Sequence, residues 1–140
     1  MLLLASCGGP EKLAYLMPAE ACWKADEGLV LDIDHSGEAL GLTTRCELTQ
    51  DYPFSNLYLE AKITNAEGLD STWTQTVTFV DRLGTWQVPK LGSAYLLEHP
   101  LCETVKIPAG KYTLRIRHFM RPQQICGVRS VMLTPYTAKP

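Results

Sequence analysis

The residue with the clearest chemical signature lies near the start of the sequence, where Leu4-Ala5-Ser6-Cys7 has the form of a bacterial lipobox. In such a motif a branched apolar residue and two small residues let a peptidase reach the bond before the cysteine, whose thiol carries the lipid. Buried acyl chains contribute about 0.8 kcal/mol per CH₂, so two or more of them anchor a protein stably. We predict that Cys7 is the lipidation site. Residues 1–6, none of them basic, are expected to be the remainder of an export signal.

Four further cysteines remain if Cys7 is lipidated: Cys22, Cys46, Cys102 and Cys126. They are widely spaced and form no CxxC pair, so the sequence lacks the close ligand spacing of a zinc ribbon. In an oxidising compartment an even number of thiols permits two disulfides, and three connectivities fit four cysteines. The alternative is that these thiols stay free and pack as small hydrophobic side chains.

No arrangement of residues in the sequence points to catalysis or to a cofactor. The three histidines, His35, His99 and His118, have no nucleophile motif around them, and neither Gly-x-Ser-x-Gly nor a glycine-rich phosphate loop occurs. The stretch Asp32–Gly37 begins like a calcium loop, but Thr43 stands where the glutamate of the twelfth position is needed. We therefore predict no catalytic residues, no metal and no cofactor.

Arginines gather late in the sequence at Arg115, Arg117 and Arg121. In a strand, positions 115 and 117 share one face, so the group is either an ordinary solvated face or a contact surface for an acidic partner. The formal net charge is −2 and the isoelectric point about 5.9. Without a basic excess, little counterion release is available to drive nucleic-acid binding. The sequence thus favours a protein partner over nucleic acid.

Aromatic residues offer a second kind of binding chemistry. Trp23, Trp73 and Trp86, together with Tyr52 and Tyr58, would form a sugar-stacking platform if their rings were exposed on a sheet. Tryptophan and tyrosine at strand positions more often pack into the core or its rim. A lipid-anchored glycan-binding module is therefore the alternative function, and solvent exposure of Trp73 or Trp86 is the observation that would favour it.

The elements that must position these residues are short strands. The stretches from Leu57 to Thr64 and from Tyr112 to Met120 alternate between inward-type and outward-type residues, which is typical of half-buried strands. Turn signals recur about every ten residues, and no segment of helix length has a 3.6-residue period. We predict an all-β protein, a single antiparallel β-sandwich of about seven or eight strands. Its strand order is expected to be immunoglobulin-like or jelly-roll-like.

The length of 140 residues suits one domain with one core. Hydrophobic residues make up 46% and charged residues 20%, the composition of a globular domain rather than of a disordered chain. No apolar run reaches the length of about 18 residues that a transmembrane helix needs. We expect an anchor and tether at 7–21 and the β-sandwich domain at 22–140.

Several short blocks between residues 22 and 134 occur together in a recognisable order. They are Tyr52-Pro53-Phe54-Ser55-Asn56-Leu57-Tyr58; Asp81, Gly84 and Trp86; Pro108-Ala109-Gly110-Lys111-Tyr112; Met120-Arg121; and Ile125, Gly127 and Val128. Through these blocks the sequence resembles the GldH family of gliding-motility lipoproteins from Bacteroidota. The first block and the Met-Arg block are fairly specific as a pair, and Cys7 and Trp23 stand where that family has its anchor and first strand.

The resemblance implies a location and a process rather than a reaction. It implies a lipid-anchored protein of the cell envelope, in the inner or outer membrane and facing the periplasm. Its partners would be envelope proteins of the gliding machinery and of the linked type IX secretion machinery, in which it would be an accessory or scaffold component. No enzymatic activity is implied. The cysteines after Cys7 are not a feature we associate with the family, so the resemblance implies no disulfide.

Overall fold

The computed structural model describes residues 13–37, 39–100 and 105–138. Twelve strands run through these residues, more than the predicted seven or eight, and seven of them are 7–11 residues long. The other five have only two or three residues. The strands are β1 (Ala14–Leu16), β2 (Cys22–Lys24), β3 (Leu29–His35), β4 (Ala39–Thr49), β5 (Asn56–Thr64), β6 (Asp70–Thr78), β7 (Lys90–Leu91), β8 (Ala94–Pro100), β9 (Val105–Lys106), β10 (Gly110–His118), β11 (Gln124–Cys126) and β12 (Val128–Ala138).

The long strands form two antiparallel sheets that share one core. One sheet has the order β1-β12-β4-β8-β7, with β9 also paired to β4, and the other has the order β3-β10-β5-β6. The pairs are nested along the chain, because β5 pairs with β6, β4 with β8, β3 with β10 and β1 with β12. This nesting is the order of a jelly roll, in which one long hairpin is rolled into two sheets. The predicted antiparallel β-sandwich is confirmed, with the jelly-roll order of the two considered.

Alternating residues of the central strands build the core. In β5 the residues Leu57, Leu59, Ala61 and Ile63 are buried, and their neighbours in sequence face outward. The strand β10 repeats the pattern from Tyr112 to His118. Full burial of one leucine or isoleucine side chain contributes roughly 1.5–3 kcal/mol. The alternation predicted for both strands is confirmed, and it fixes which residues of β10 and β5 face solvent.

A separate two-stranded sheet, β2 with β11, covers the core beside His118. Trp23 in β2 is fully buried, and its indole Nε1 donates a 2.6 Å hydrogen bond to the carbonyl oxygen of Glu27. Its ring meets the imidazole of His118 edge-on, with centroids 5.1 Å apart. Ile125 in β11 is also buried. This small sheet thus packs one large aromatic side chain against the end of β10.

The sandwich begins earlier than residue 22, the predicted start of the domain. The strand β1 pairs with β12 in antiparallel register, so residues 14–16 of the predicted tether at 7–21 belong to a sheet. Ala14 and Leu16 are partly buried against the core. Three residues are too short for alternation to stand out in a sequence. Residues 1–12, with the predicted lipidation site Cys7, lie outside the described residues.

Candidate functional site

The outer face of the sheet β3-β10-β5-β6 carries charged pairs that bridge neighbouring strands. Arg117 Nε lies 2.8 Å from Glu60 Oε1, and Arg117 Nη2 lies 3.3 Å from Glu60 Oε2. The hydrogen bond to Glu60 raises the pKa of Arg117. Lys62 Nζ lies 3.6 Å from Asp70 Oδ1 on the neighbouring strand. Most of the charge on this part of the face is therefore neutralised within the protein.

Arg115 differs from these residues, because it forms no ion pair with another residue in the described part of the chain. Its direct neighbours are Lys62 in β5 and Val30 in β3, and Val30 is 50% exposed. Like charges directly opposite each other in a sheet are unfavourable. Asp70 offsets only one of the two cations in this pair. The row Val30–Arg115–Lys62 thus carries a positive charge that an anionic group from outside the protein would stabilise.

A shallow depression of about 430 Å³ lies over this row. Its charged lining residues are Asp26, Glu60, Lys62, Arg115 and Arg117. Lys62 could not be assigned to the arginine surface from sequence, because its place there depends on β5 lying beside β10. We call the three basic residues of this lining, Lys62, Arg115 and Arg117, the basic row.

Arg121 does not line this depression. The strand β10 ends at His118, and Arg121 is exposed in the bend that leads to β11. The predicted surface groups Arg121 with Arg115 and Arg117 because the three residues are close in sequence. The turn after β10 interrupts the alternation that places Arg115 and Arg117 on one face.

The structure joins two of the four remaining cysteines. Cys22 and Cys126 are directly opposite each other in the β2–β11 pair and form a disulfide. Cys46 is a free thiol buried in the core, and burial raises its pKa to about 12. It is therefore a neutral packing residue, which is the alternative role considered for the cysteines. Cys102 lies outside the described residues.

The side chains of His118 and His35 are buried in the core. His118 is fully buried, and its Nε2 lies 3.1 Å from the carbonyl oxygen of Trp23 and 3.2 Å from that of Gln123. The backbone N–H of Met120 donates to His118 Nδ1, so the ring is the neutral Nε2–H tautomer. Burial lowers the pKa of His118, in keeping with this neutral form. His35 is buried beside the ring of Tyr112.

Aromatic residues of the family-like blocks meet where β4 and β6 end. The rings of Tyr52, Phe54, Phe79, Trp86 and Tyr95 form a continuous row with centroids 4.0–5.7 Å apart. Trp86 and Tyr95 are stacked, with an interplanar angle of 9°. The blocks around Tyr52 and Trp86 are far apart in sequence, and the ring of Phe79 packs between these two residues. Their role in this structure is packing.

The tryptophans do not form an exposed platform. Trp23 is fully buried, and Trp73 and Trp86 are partly buried and packed against the core. Tyr58 is 40% exposed but lies apart from the row of rings, in β5. Trp73 and Trp86 therefore do not show the solvent exposure that would favour glycan binding.

No group of three or more histidine, cysteine, aspartate or glutamate side chains in the described residues is arranged to hold a metal ion. Asp32 instead accepts a 2.7 Å hydrogen bond from the hydroxyl of Thr113 across the β3–β10 pair. Residues 13–37, 39–100 and 105–138 also contain no helix long and apolar enough to cross a membrane.

The sequence model of the GldH lipoprotein family matches residues 17–133, which is most of the chain. Comparison with the curated proteins gives no match.

Similar folds occur among solved structures. Part of the family GH115 4-O-methyl-α-glucuronidase BtGH115A aligns with a TM-score of 0.50 at 10% identity, over 92% of this chain and 17% of the enzyme. The Cry4Aa toxin from Bacillus thuringiensis aligns with a TM-score of 0.44 at 10% identity, over 82% of this chain and 19% of the toxin. The CBM35 module from Cellvibrio japonicus Abf62 gives 0.40 at 12% identity, over 86% of this chain and 74% of the module. At such low identity the likeness concerns the β-sandwich fold alone.

Proposed function

The chain belongs to the GldH lipoprotein family, and from this membership we propose that it is a non-enzymatic accessory or scaffold component of the gliding-motility and type IX secretion machinery. The observation that carries the proposal is the family match over residues 17–133, which includes eleven of the twelve strands in full or in part. Membership in a lipoprotein family implies anchoring at a membrane. The lipid is attached to Cys7, the cysteine of the lipobox-like sequence.

The proposed location is the cell envelope, with the sandwich on the periplasmic side of the inner or outer membrane. The Cys22–Cys126 disulfide supports this location, because such bonds persist in oxidising compartments. The family match does not distinguish between the two membranes.

The burial of the candidate reactive groups supports a scaffold role. Cys46 is a buried thiol with a raised pKa, and the imidazole of His118 is held by backbone groups. The basic row, by contrast, is on the surface and carries excess positive charge through Arg115. We propose the basic row as the surface that contacts an acidic region of an envelope partner.

The first test asks whether the process of the family transfers to this protein. Deletion of the gene is expected to abolish colony spreading and to deplete the secreted proteome. Wild type should restore both, and Cys7→Ser should restore neither, because the unlipidated protein leaves the membrane. Spreading plates, secretome mass spectrometry and a membrane-fraction blot give the readings. Normal spreading and secretion in the deletion strain would refute the proposed role, and a glycan array with the soluble domain would then test the alternative.

The second test concerns the basic row. Arg115→Glu is expected to abolish complementation while changing the free energy of unfolding by less than about 0.5 kcal/mol, since the site is exposed. Glutamate at 115 would lie opposite Lys62 and replace a like-charge pair by an opposite-charge pair. Arg115 is a cleaner choice than Arg117, whose reversal would also break the pair with Glu60.

The matched control is Lys106→Glu, a charge reversal of the same size at an exposed position in β9 of the other sheet. It should complement fully. If the strain that carries Arg115→Glu spreads as well as the strain that carries this control, at equal protein level and equal Tm, the basic row is not a partner surface.

A further inference from the structure

Three exposed apolar side chains lie together at the start of the sandwich. Leu13 is 49% exposed, Tyr15 50% and Met17 66%. They alternate along the chain with Ala14 and Leu16, which pack against the core. A strand with one face in solvent normally carries polar residues on that face. Here the outward positions on and beside β1 are apolar, so this segment presents an apolar edge. We name Leu13, Tyr15 and Met17 the edge strip.

The neighbours of the edge strip in the sheet extend its apolar character. In the sheet, Tyr15 lies opposite Met132 of β12, which is only partly buried. Met132 in turn lies opposite Arg45 of β4, which is exposed. The row that starts at Tyr15 thus runs from an aromatic residue through a methionine to an arginine, and Glu98 of β8 lies directly opposite that arginine. Tyrosine is favoured where lipid acyl chains meet headgroups.

The short segment between Cys7 and the edge strip limits how far the strip can lie from the membrane. Leu13 follows Cys7 by six positions, and six residues span at most about 20 Å. A lipid on Cys7 therefore holds the start of β1 within about 20 Å of the headgroups, less than the diameter of the sandwich. Because β1 is an edge strand of its sheet, this edge is the part of the domain that the anchor brings to the bilayer.

We propose that the edge strip lies against the membrane interface and fixes the orientation of the sandwich on the bilayer. The proposal rests on the lipid anchoring in the proposed function and adds a second, weaker contact to it. An acyl anchor alone leaves a domain free to rotate, whereas an anchor combined with an interfacial apolar segment restricts it. In that orientation the β7 edge, at the other side of the same sheet, points away from the lipid.

The experiment uses the full-length lipidated protein reconstituted in phosphatidylethanolamine–phosphatidylglycerol vesicles that contain an alkyne-labelled phospholipid. The photoreactive residue p-benzoylphenylalanine is placed at position 15 or, as a control, at position 91. Leu91 is 54% exposed and lies in β7, so the two positions match in exposure and differ in the edge they occupy. Irradiation is expected to give about tenfold more lipid crosslinking at position 15 than at 91. Flotation of the vesicles measures anchoring separately.

The outcomes separate this proposal from the one it rests on. If the protein floats with the vesicles but positions 15 and 91 crosslink lipid equally, the anchor holds and the edge strip does not touch the membrane. If position 15 crosslinks a second copy of the protein instead of lipid, the strip is a dimer contact and the proposal is overturned. If the protein does not float, lipid anchoring itself fails and the oriented contact fails with it.

Discussion

Replacement of both Cys22 and Cys126 by alanine is expected to lower the free energy of unfolding by about 2–5 kcal/mol and Tm by roughly 10–20 °C. The bond joins residues 104 positions apart, so it closes a loop that contains most of the sandwich. For a loop of about 100 residues, the entropy removed from the unfolded chain corresponds to about 4.7 kcal/mol. The bond also holds together the short β2–β11 sheet, whose Trp23 packs against His118.

Thermal and urea unfolding with and without dithiothreitol would measure this effect. The reductant should bring the wild-type protein down to the stability of the Cys22→Ala/Cys126→Ala variant and leave that variant unchanged. Cys46→Ala is the control, because it removes a buried thiol that forms no bond and should cost only about 1 kcal/mol. A wild-type Tm that does not change when the reductant is added would contradict the prediction. A response that persists in the double variant would assign the effect to other cysteines.

The fold could be predicted where apolar and polar residues alternate over many positions. Strands β5 and β10 each have nine residues, and their buried positions were the expected ones. Strands of two or three residues contain too few positions to show a period, so periodicity predicts neither β1 nor β11, and only the family resemblance places a strand at Trp23 in β2. The Cys22–Cys126 pair depends on two of these short strands. Local sequence leaves the pairing of the cysteines open, whereas the register of β2 with β11 places Cys22 directly opposite Cys126.

The sequence predicts which arginines of the candidate site share a face, but it does not predict which of them lacks an ionic partner. Alternation in β10 puts Arg115 and Arg117 on one face, which is a local property of the strand. Which of the two carries unbalanced charge depends on β5, which places Glu60 beside Arg117 and Lys62 beside Arg115. These strands are about fifty residues apart in the chain, and no local pattern contains their order. The same holds for the exposure of Tyr15, which only a paired β1 defines.

Gly127→Ala is expected to destabilise the protein by about 2–5 kcal/mol. Gly127 has φ +90°, a conformation that L side chains rarely adopt. A Cβ at this position would lie 2.6 Å from the Cα of Tyr52, so it would meet backbone that no rotamer change can move aside. Its N–H donates to Ala21 and its carbonyl accepts from Thr49, with distances of 2.9 and 2.8 Å. These bonds hold Gly127 between the segments of Ala21 and Thr49 and prevent it from shifting away.

Gly84→Ala separates the two causes of this loss. Gly84 has φ +82°, but a Cβ there would meet nothing within 4 Å, so its substitution should cost only the conformational term of about 1–2 kcal/mol. The remainder at Gly127 measures the close approach to Tyr52. Because the ring of Tyr52 packs on Phe79, a shift of this backbone should also change the near-ultraviolet circular dichroism of the aromatic row. Urea unfolding measures the loss of unfolding free energy for each variant. Equal losses for the two variants would mean that the backbone at Tyr52 moves aside at no cost, and that the contact with Gly127 does not position the aromatic row.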